Sequence, residues 1–153
     1  MKTTRWLSAQ EQHTWRAYLD ATRLLLQALD RQLNRDAGIS FTDFELLVVL
    51  SEAPERRLRM SELAEAVTTT RSGVTRAISR LVDAGWVRRV ECKHDKRGMM
   101  AELTDAGADK LAAASPGHVA EVRRNMFDLL SPRDVAILGH DYSEMRAHML
   151  ENT

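Results

Sequence analysis

Arg71, Ser72, Gly73, Thr75, Arg76 and Ser79 fall close together, interleaved with the apolar residues Val74, Ala77, Ile78, Leu81 and Val82, which repeat by three and four. In a helix Val74, Ile78 and Leu81 turn inward, so Arg71, Ser72, Thr75, Arg76 and Ser79 lie on the other side. Those are side chains with which a protein reads a duplex. An arginine makes paired hydrogen bonds to a guanine edge, hydroxyls reach phosphates or base edges, and Gly73 lets the backbone come close. Thr70 is the expected N-cap, turning the positive end of the helix toward a phosphate. A second basic group follows, with Lys93, His94, Lys96 and Arg97 around Asp95, a carboxylate placed to brace Arg97 so that its guanidinium enters a minor groove. Either group alone also reads as a solvated surface. The order in which they occur is more informative.

That order is a short helix, a tight turn, a longer helix and a β-hairpin. Met60 to Val67 reads as helix (Leu63, Ala64, Val67), Thr68-Thr69-Thr70 as the turn, and residues 70–84 as the groove-reading helix, closed by Gly85 in a left-handed conformation. Trp86–Cys92 and Met99–Leu103 are β-rich runs joined by a polar loop over 93–98, the wing. The layout is that of a winged helix-turn-helix. On its N-terminal side Ser8 and Glu11 form a capping box for one long amphipathic helix, Ser8 to Arg35, ended by Gly38. Thr42 and Glu45 form a second capping box for a short buried helix that stops before Pro54. On the C-terminal side Thr104 caps a helix carrying Leu111, Ala112, Val119, Val122, Met126 and Leu129, with a kink expected at Ser115-Pro116-Gly117. Ser131-Pro132 starts a last helix in which Val135, Leu138, Tyr142, Met145 and Met149 form a heptad-like seam. The fold expected is mainly α with a small β-hairpin wing. Residues 42–103 form the winged lobe, and residues 8–38 and 104–153 the dimerisation helices, of a single unit over 1–153.

Composition supports one core: 153 residues, 44% hydrophobic, are too few for two ordinary domains. The net charge is zero, yet residues 54–98 carry eleven Arg and Lys against six Asp and Glu, a basic centre between acidic flanks. A lone cysteine, Cys92, excludes an internal disulfide, and no segment has signal-peptide or membrane-span character, so a soluble cytoplasmic protein is expected. The residues leave two further chemistries open. Lys93 and His94 beside Cys92 could favour a thiolate, and His140, Glu144 and His148, spaced by four on one helix, carry donor types that bind zinc. Neither reading outweighs a bystander thiol and a wet helix face. No phosphate loop, nucleophile elbow or paired catalytic carboxylates are present, so neither an enzyme nor a cofactor is expected.

Ser61-Glu62-Leu63-Ala64, the run from Arg71-Ser72-Gly73-Val74-Thr75-Arg76 to Leu81-Val82-Asp83-Ala84-Gly85-Trp86-Val87, and Asp95-Lys96-Arg97-Gly98 leading into Leu103-Thr104-Asp105-Ala106-Gly107 resemble the multiple-antibiotic-resistance regulator (MarR) family over essentially the whole chain. The resemblance implies a homodimer with intertwined terminal helices that binds a pseudo-palindromic operator on double-stranded DNA, usually as a repressor. It places recognition on Arg71, Ser72, Thr75 and Arg76 and the wing pair on Asp95 and Arg97. It also implies release by a small aromatic effector, for which Trp15, Arg16, Tyr18 and Phe44 are the candidate residues. The family's oxidation sensors carry a cysteine near the start of the first helix, where this chain has none. A metal- or redox-responsive regulator, or a dimeric interaction module that has lost DNA binding, remain the alternatives. Independently of the resemblance, the first helix and the last seam are too apolar for a small monomer to cover.

Overall fold

The computed structural model describes residues 3–67, 71–92 and 94–152, with the side chains of Arg71, Asp95, Lys96 and Arg97 outside that description. The helices are α1 (Ala9–Ala37), α2 (Phe41–Glu52), α3 (Met60–Ala66), α4 (Arg71–Asp83), α5 (Asp105–Asn125) and α6 (Pro132–Glu151), with short 3-10 turns at Pro54–Arg56 and Phe127–Leu129. Three antiparallel strands, β1 (Arg57–Arg59), β2 (Val87–Cys92) and β3 (Asp95–Leu103), form one sheet in the order β1-β3-β2. The architecture is the mainly helical winged helix that the sequence predicts.

Caps explain most of the boundaries. Ser8 accepts from the Glu11 amide while Glu11 accepts from the Ser8 amide at 2.8 Å, and Gly38 closes α1 at φ 64°. The second cap differs from the expected Thr42–Glu45 box. Because Gly38 has already reversed the chain, helix re-entry falls at Ser40, whose Oγ accepts from the Asp43 amide at 3.1 Å, while Asp30 Oδ1 accepts from the Phe41 amide at 2.9 Å. Thr42 is thus already inside the first turn. Ser131 with Pro132 starts α6 as expected.

Four expectations are corrected. β1 is a third strand, too short to show a period in Arg-Leu-Arg, reached through a corner in which Glu55 and Arg56 hold positive φ of 54° and 57°. The expected six-residue wing loop is mostly strand: Cys92 pairs with Asp95 and Glu91 with Met99, so residues 96–98 have no counterpart on β2 and bulge from β3. Pro116 does not break α5, which continues through it, the Ser115 hydroxyl donating to the Leu111 carbonyl at 2.7 Å. That helix ends at Asn125, before Met126 and Leu129, where the Asn125 amide donates to the Glu121 carbonyl at 2.8 Å. The Thr68-Thr69-Thr70 turn lies outside the described residues.

The core gathers Leu33 of α1, Leu46, Leu47 and Leu50 of α2, Leu63 of α3, Val74, Ile78 and Leu81 of α4, and Val87 of β2, all fully buried. Gly107 is required where α5 starts, because a Cβ there would lie 2.1 Å from the Trp86 carbonyl oxygen. The sheet is fastened by one carboxylate. Glu102 on β3 is 4% exposed and opposes Arg57 on β1 and Arg88 on β2, with both guanidiniums donating to it. Burial pushes its carboxyl up, but the two arginines outweigh burial and hold it below the ordinary value of 4.5.

A depressed carboxyl pKa contributes stability that is present above the unfolded-state value and is lost as pH falls through the lower folded-state value. Glu102→Gln should therefore cost about 1–2 kcal/mol at neutral pH, the low end for a charged pair because the guanidiniums are partly solvated. Denaturant melts from pH 7 to pH 3 should show that gap closing as the pH falls; a gap constant with pH would assign the loss to packing instead of charge.

Candidate nucleic-acid interface

At about 100° per residue, α4 has room for two faces. Val74, Ala77, Ile78 and Leu81 occupy one and are buried, while Ser72, Thr75 and Arg76 are exposed on the other and Gly73 and Ser79 sit half-buried at its margin. For Val74, Ile78 and Leu81 inside and Ser72, Thr75 and Arg76 outside, the division read from the sequence is the one observed. Arg71 contributes its backbone to the first turn of α4, and its side chain is outside the described residues, as is Thr70 with its expected cap.

Two polar contacts orient this face, and neither is visible in the sequence. Arg80 donates to both oxygens of Asp43, at 2.7 and 3.3 Å, tying α4 to α2; the Asp43 side chain is nearly buried and holds the Arg80 guanidinium above its ordinary value through the hydrogen bond. Ser79 Oγ donates to the Thr75 carbonyl at 3.0 Å and accepts from Arg89 Nη2 of β2 at 2.7 Å. The only sequence signal for the second contact is the Arg88-Arg89 doublet. Adjacent residues in a strand face opposite ways, so one arginine meets Glu102 and the other meets α4.

The wing rises beside α4 on β2 and β3, with His94 exposed at its turn. Lys93 lies outside the described residues, and so do the side chains of Asp95, Lys96 and Arg97, including the expected Asp95–Arg97 brace. Cys92 is a half-buried free thiol whose Sγ accepts from Arg59 Nη2 at 3.3 Å. His140, Glu144 and His148 are exposed along α6, and among the described residues no cluster of three His, Cys, Asp or Glu stands close enough to hold a metal ion.

The four residues named for an effector do not share a site. The Trp15 and Tyr18 rings stack at 6.0 Å, and Tyr18 with Tyr142 lines a cavity of 530 Å³ between α1 and α6. Arg16 lines shallow depressions with Gln12. Phe44 is buried in the core with its ring 4.4 Å from His118 of α5, next to Phe41, whose amide bonds to Asp30. Asp30 is about 18 Å along α1 from Tyr18 at the helical rise. No local pattern around Phe44 signals a polar problem, yet Gln32 Oε1 and His118 Nδ1 are the buried side-chain atoms without a hydrogen-bond partner among the described residues. Burial pushes the His118 imidazole down.

A family model described as MarR family matches residues 37–98, from the end of α1 through the wing bulge. The chain is 48% identical to Sco3205 of Streptomyces coelicolor, a MarR family transcriptional regulator whose crystal structure holds DNA, with a TM-score of 0.89 and coverage of 94% of this chain and 90% of that one. It is 39% identical to AbsC, a MarR family transcriptional regulator of the same organism, with a TM-score of 0.90 over 97% and 99% of the two chains. Among curated relatives it is 33% identical to the HTH-type transcriptional repressor YetL of Bacillus subtilis (strain 168), over 56% of this chain and 51% of that protein. The chain spans about half the length of the first such curated relatives, between 45% and 63% of each. With the two-faced α4, the adjoining wing and full-length likeness to Sco3205 and AbsC, this chain belongs to the MarR family of transcriptional regulators.

Proposed function

We propose that the chain binds double-stranded DNA as a homodimer, α4 entering the major groove and the wing the adjacent minor groove, and acts as a repressor on an inverted-repeat operator. The observation that carries this is the outward face of α4. Arg76 is exposed there, with no carboxylate within ion-pair distance among the described residues, while the opposite face is fixed in the core. An exposed arginine with no carboxylate partner, on a helix whose orientation the core fixes, keeps its donor fork free for a guanine edge or a phosphate. Support comes from Sco3205, which was crystallised in complex with DNA, and from YetL, which is a repressor. Arg71, Ser72, Gly73, Thr75 and Ser79 complete the recognition surface in this reading. Thr70 caps it, and Lys93, Asp95, Lys96 and Arg97 act at the wing.

The homodimer part rests on α1 and α6. No residue of the 20-residue α6 is buried, and Leu19, Leu26, Tyr142, Met145 and Met149 are all more than a third exposed. A helix this long, with an apolar seam left largely exposed, gains its stability from a partner. A second copy laid along α1 and α6 also closes the 530 Å³ cavity. The contacts at Phe44 favour a different place for an effector. The buried, unpartnered Gln32 and His118 atoms lie where α1, α2 and α5 meet, and a hydroxylated aromatic acid there would supply a ring for Phe44, a hydroxyl to donate to Gln32 Oε1 and a carboxylate to accept from His118 Nδ1.

Selection from a random duplex pool should enrich an inverted repeat with half-sites roughly 10 bp apart. Repeating it with Arg76→Ala should lose preference at one base position per half-site, a discrimination of about 1–3 kcal/mol. Equal loss on all sequences would make Arg76 a phosphate contact, and no enrichment at all would leave the interaction-module alternative. Sedimentation should give twice the chain mass of 17.3 kDa, and Met145→Asp should shift it toward monomer; a monomeric wild type would end the dimer reading. Aromatic carboxylates should release the selected operator from the wild type, and His118→Phe should blunt that release without weakening operator binding; release that is indifferent to this variant would move the effector site elsewhere.

A further inference from the structure

We propose that Arg89 is a DNA-backbone contact, held by Ser79 of α4 at the seam between the recognition helix and the wing, so that one guanidinium fastens both elements to a single phosphate ridge. The inference rests on the DNA-binding reading above and adds a residue to it.

The arginines around the winged lobe sort by partner. Arg57 and Arg88 share Glu102, with Glu55 also within ion-pair distance of Arg57, while Arg80 pairs with Asp43 and Arg56 with Asp105, so each has an acidic partner within the fold. Arg59 donates to Cys92. Arg89 combines what none of these does: it is exposed, its hydrogen bond is to a neutral hydroxyl at 2.7 Å, and among the described residues no carboxylate lies within ion-pair distance. A hydroxyl partner fixes the direction of a guanidinium without cancelling its charge. Among the described residues only one of its five N–H groups is taken, by Ser79, and the planar fork suits a phosphate.

Its place fits the same partner. Ser79 lies eight residues beyond Arg71, about 12 Å along α4 at the helical rise, where a helix entered from its N-terminal end leaves the groove. β2 carries Arg89 to that point from the wing side. Between a major groove filled by α4 and a minor groove filled by the wing runs one sugar-phosphate strand, and Arg89 stands at the junction of the two elements that flank it. Ser79 is in turn tied to the Thr75 carbonyl, so the contact is braced by the recognition helix itself.

The test is the salt dependence of binding to the selected operator and to random duplex, for the wild type, Arg89→Gln and Arg89→Lys. Glutamine keeps a polar amide but removes the charge; lysine keeps the charge. Arg89→Gln should weaken binding about tenfold on both duplexes and reduce the slope of log affinity against log salt by about two per dimer, at about 0.9 per phosphate contact. Arg89→Lys should keep the wild-type slope. Matching thermal midpoints for the variants confirm that the lobe is intact. An Arg89→Gln slope equal to the wild type's means that Arg89 only props Ser79, and overturns the inference; so does a loss confined to the selected operator, which would make Arg89 a base-reading residue. A wild type that binds no duplex at any salt removes the DNA-binding reading itself, and this inference with it, whereas a salt-dependent wild type with an unchanged variant removes this inference alone.

Discussion

Val74, Ala77, Ile78 and Leu81 are withdrawn from water together, and a helix has only one face opposite the one it buries. The direction of every other side chain of α4 follows from that constraint. Their burial against α2, α3 and the sheet is a hydrophobic term of about 1.5–3 kcal/mol for each large side chain, enough that no rotation of the helix could compete. The outward stripe of Ser72, Thr75 and Arg76 is thus set by the core, and the polar chemistry at the surface inherits its geometry from apolar packing beneath it.

Apolar packing fixes rotation about the helix axis better than it fixes the angles between elements, and the charged contacts sit where angles matter. Arg80–Asp43 joins α4 to α2, Arg89–Ser79 joins β2 to α4, and Glu102 with Arg57 and Arg88 holds three strands in one register. Buried or half-buried charges of this kind add little net stability once desolvation is counted, but each is satisfied in one relative placement of its partners. For the proposed binding of a helix and a hairpin in two neighbouring grooves, that selectivity of placement is the property required.

The sequence was most legible where a single period or a single cap decides the outcome. The i, i+3, i+4 series in α4 gave its inner face, Ser8 with Glu11 gave the start of α1, and Ser131-Pro132 gave that of α6. It was least legible where the answer depends on a residue distant along the chain. Thr42–Glu45 has the pattern of a capping box, yet Ser40 holds the cap because Gly38 had already reversed the chain and Asp30 takes the Phe41 amide. β1 exists only because Arg57 and Arg59 find Glu102 and Met100 across the sheet, some forty residues on. Phe44 fits an aromatic effector site by residue type, and only its packing against His118 shows that it lies far from Tyr18. Asp43–Arg80 and Arg89–Ser79 have no local signature at all, which is why the sequence found the reading face and missed what aims it.

The same contacts connect the two ends of the molecule. Lys110 of α5 donates to the Ala37 carbonyl at the end of α1, Asp30 of α1 receives the first amide of α2, and Asp43 of α2 receives Arg80 of α4. Asp43 and Phe44 are consecutive, so the residue that grips the recognition helix is adjacent to the one packed on His118. A small rotation of α2 must then act on both together, because a short helix buried on nearly all sides moves as a unit. Among the described residues, the unpartnered atoms of Gln32 and His118 mark where the packing along this series is polar and unsatisfied. In the function proposed above, filling that place would favour one setting of α2 over another and so reset the angle at which α2 holds α4. A dimer face on α1 and α6 would fix the separation of two such helices while α2 fixes the tilt of each, and binding to an inverted repeat would need both to be right at once.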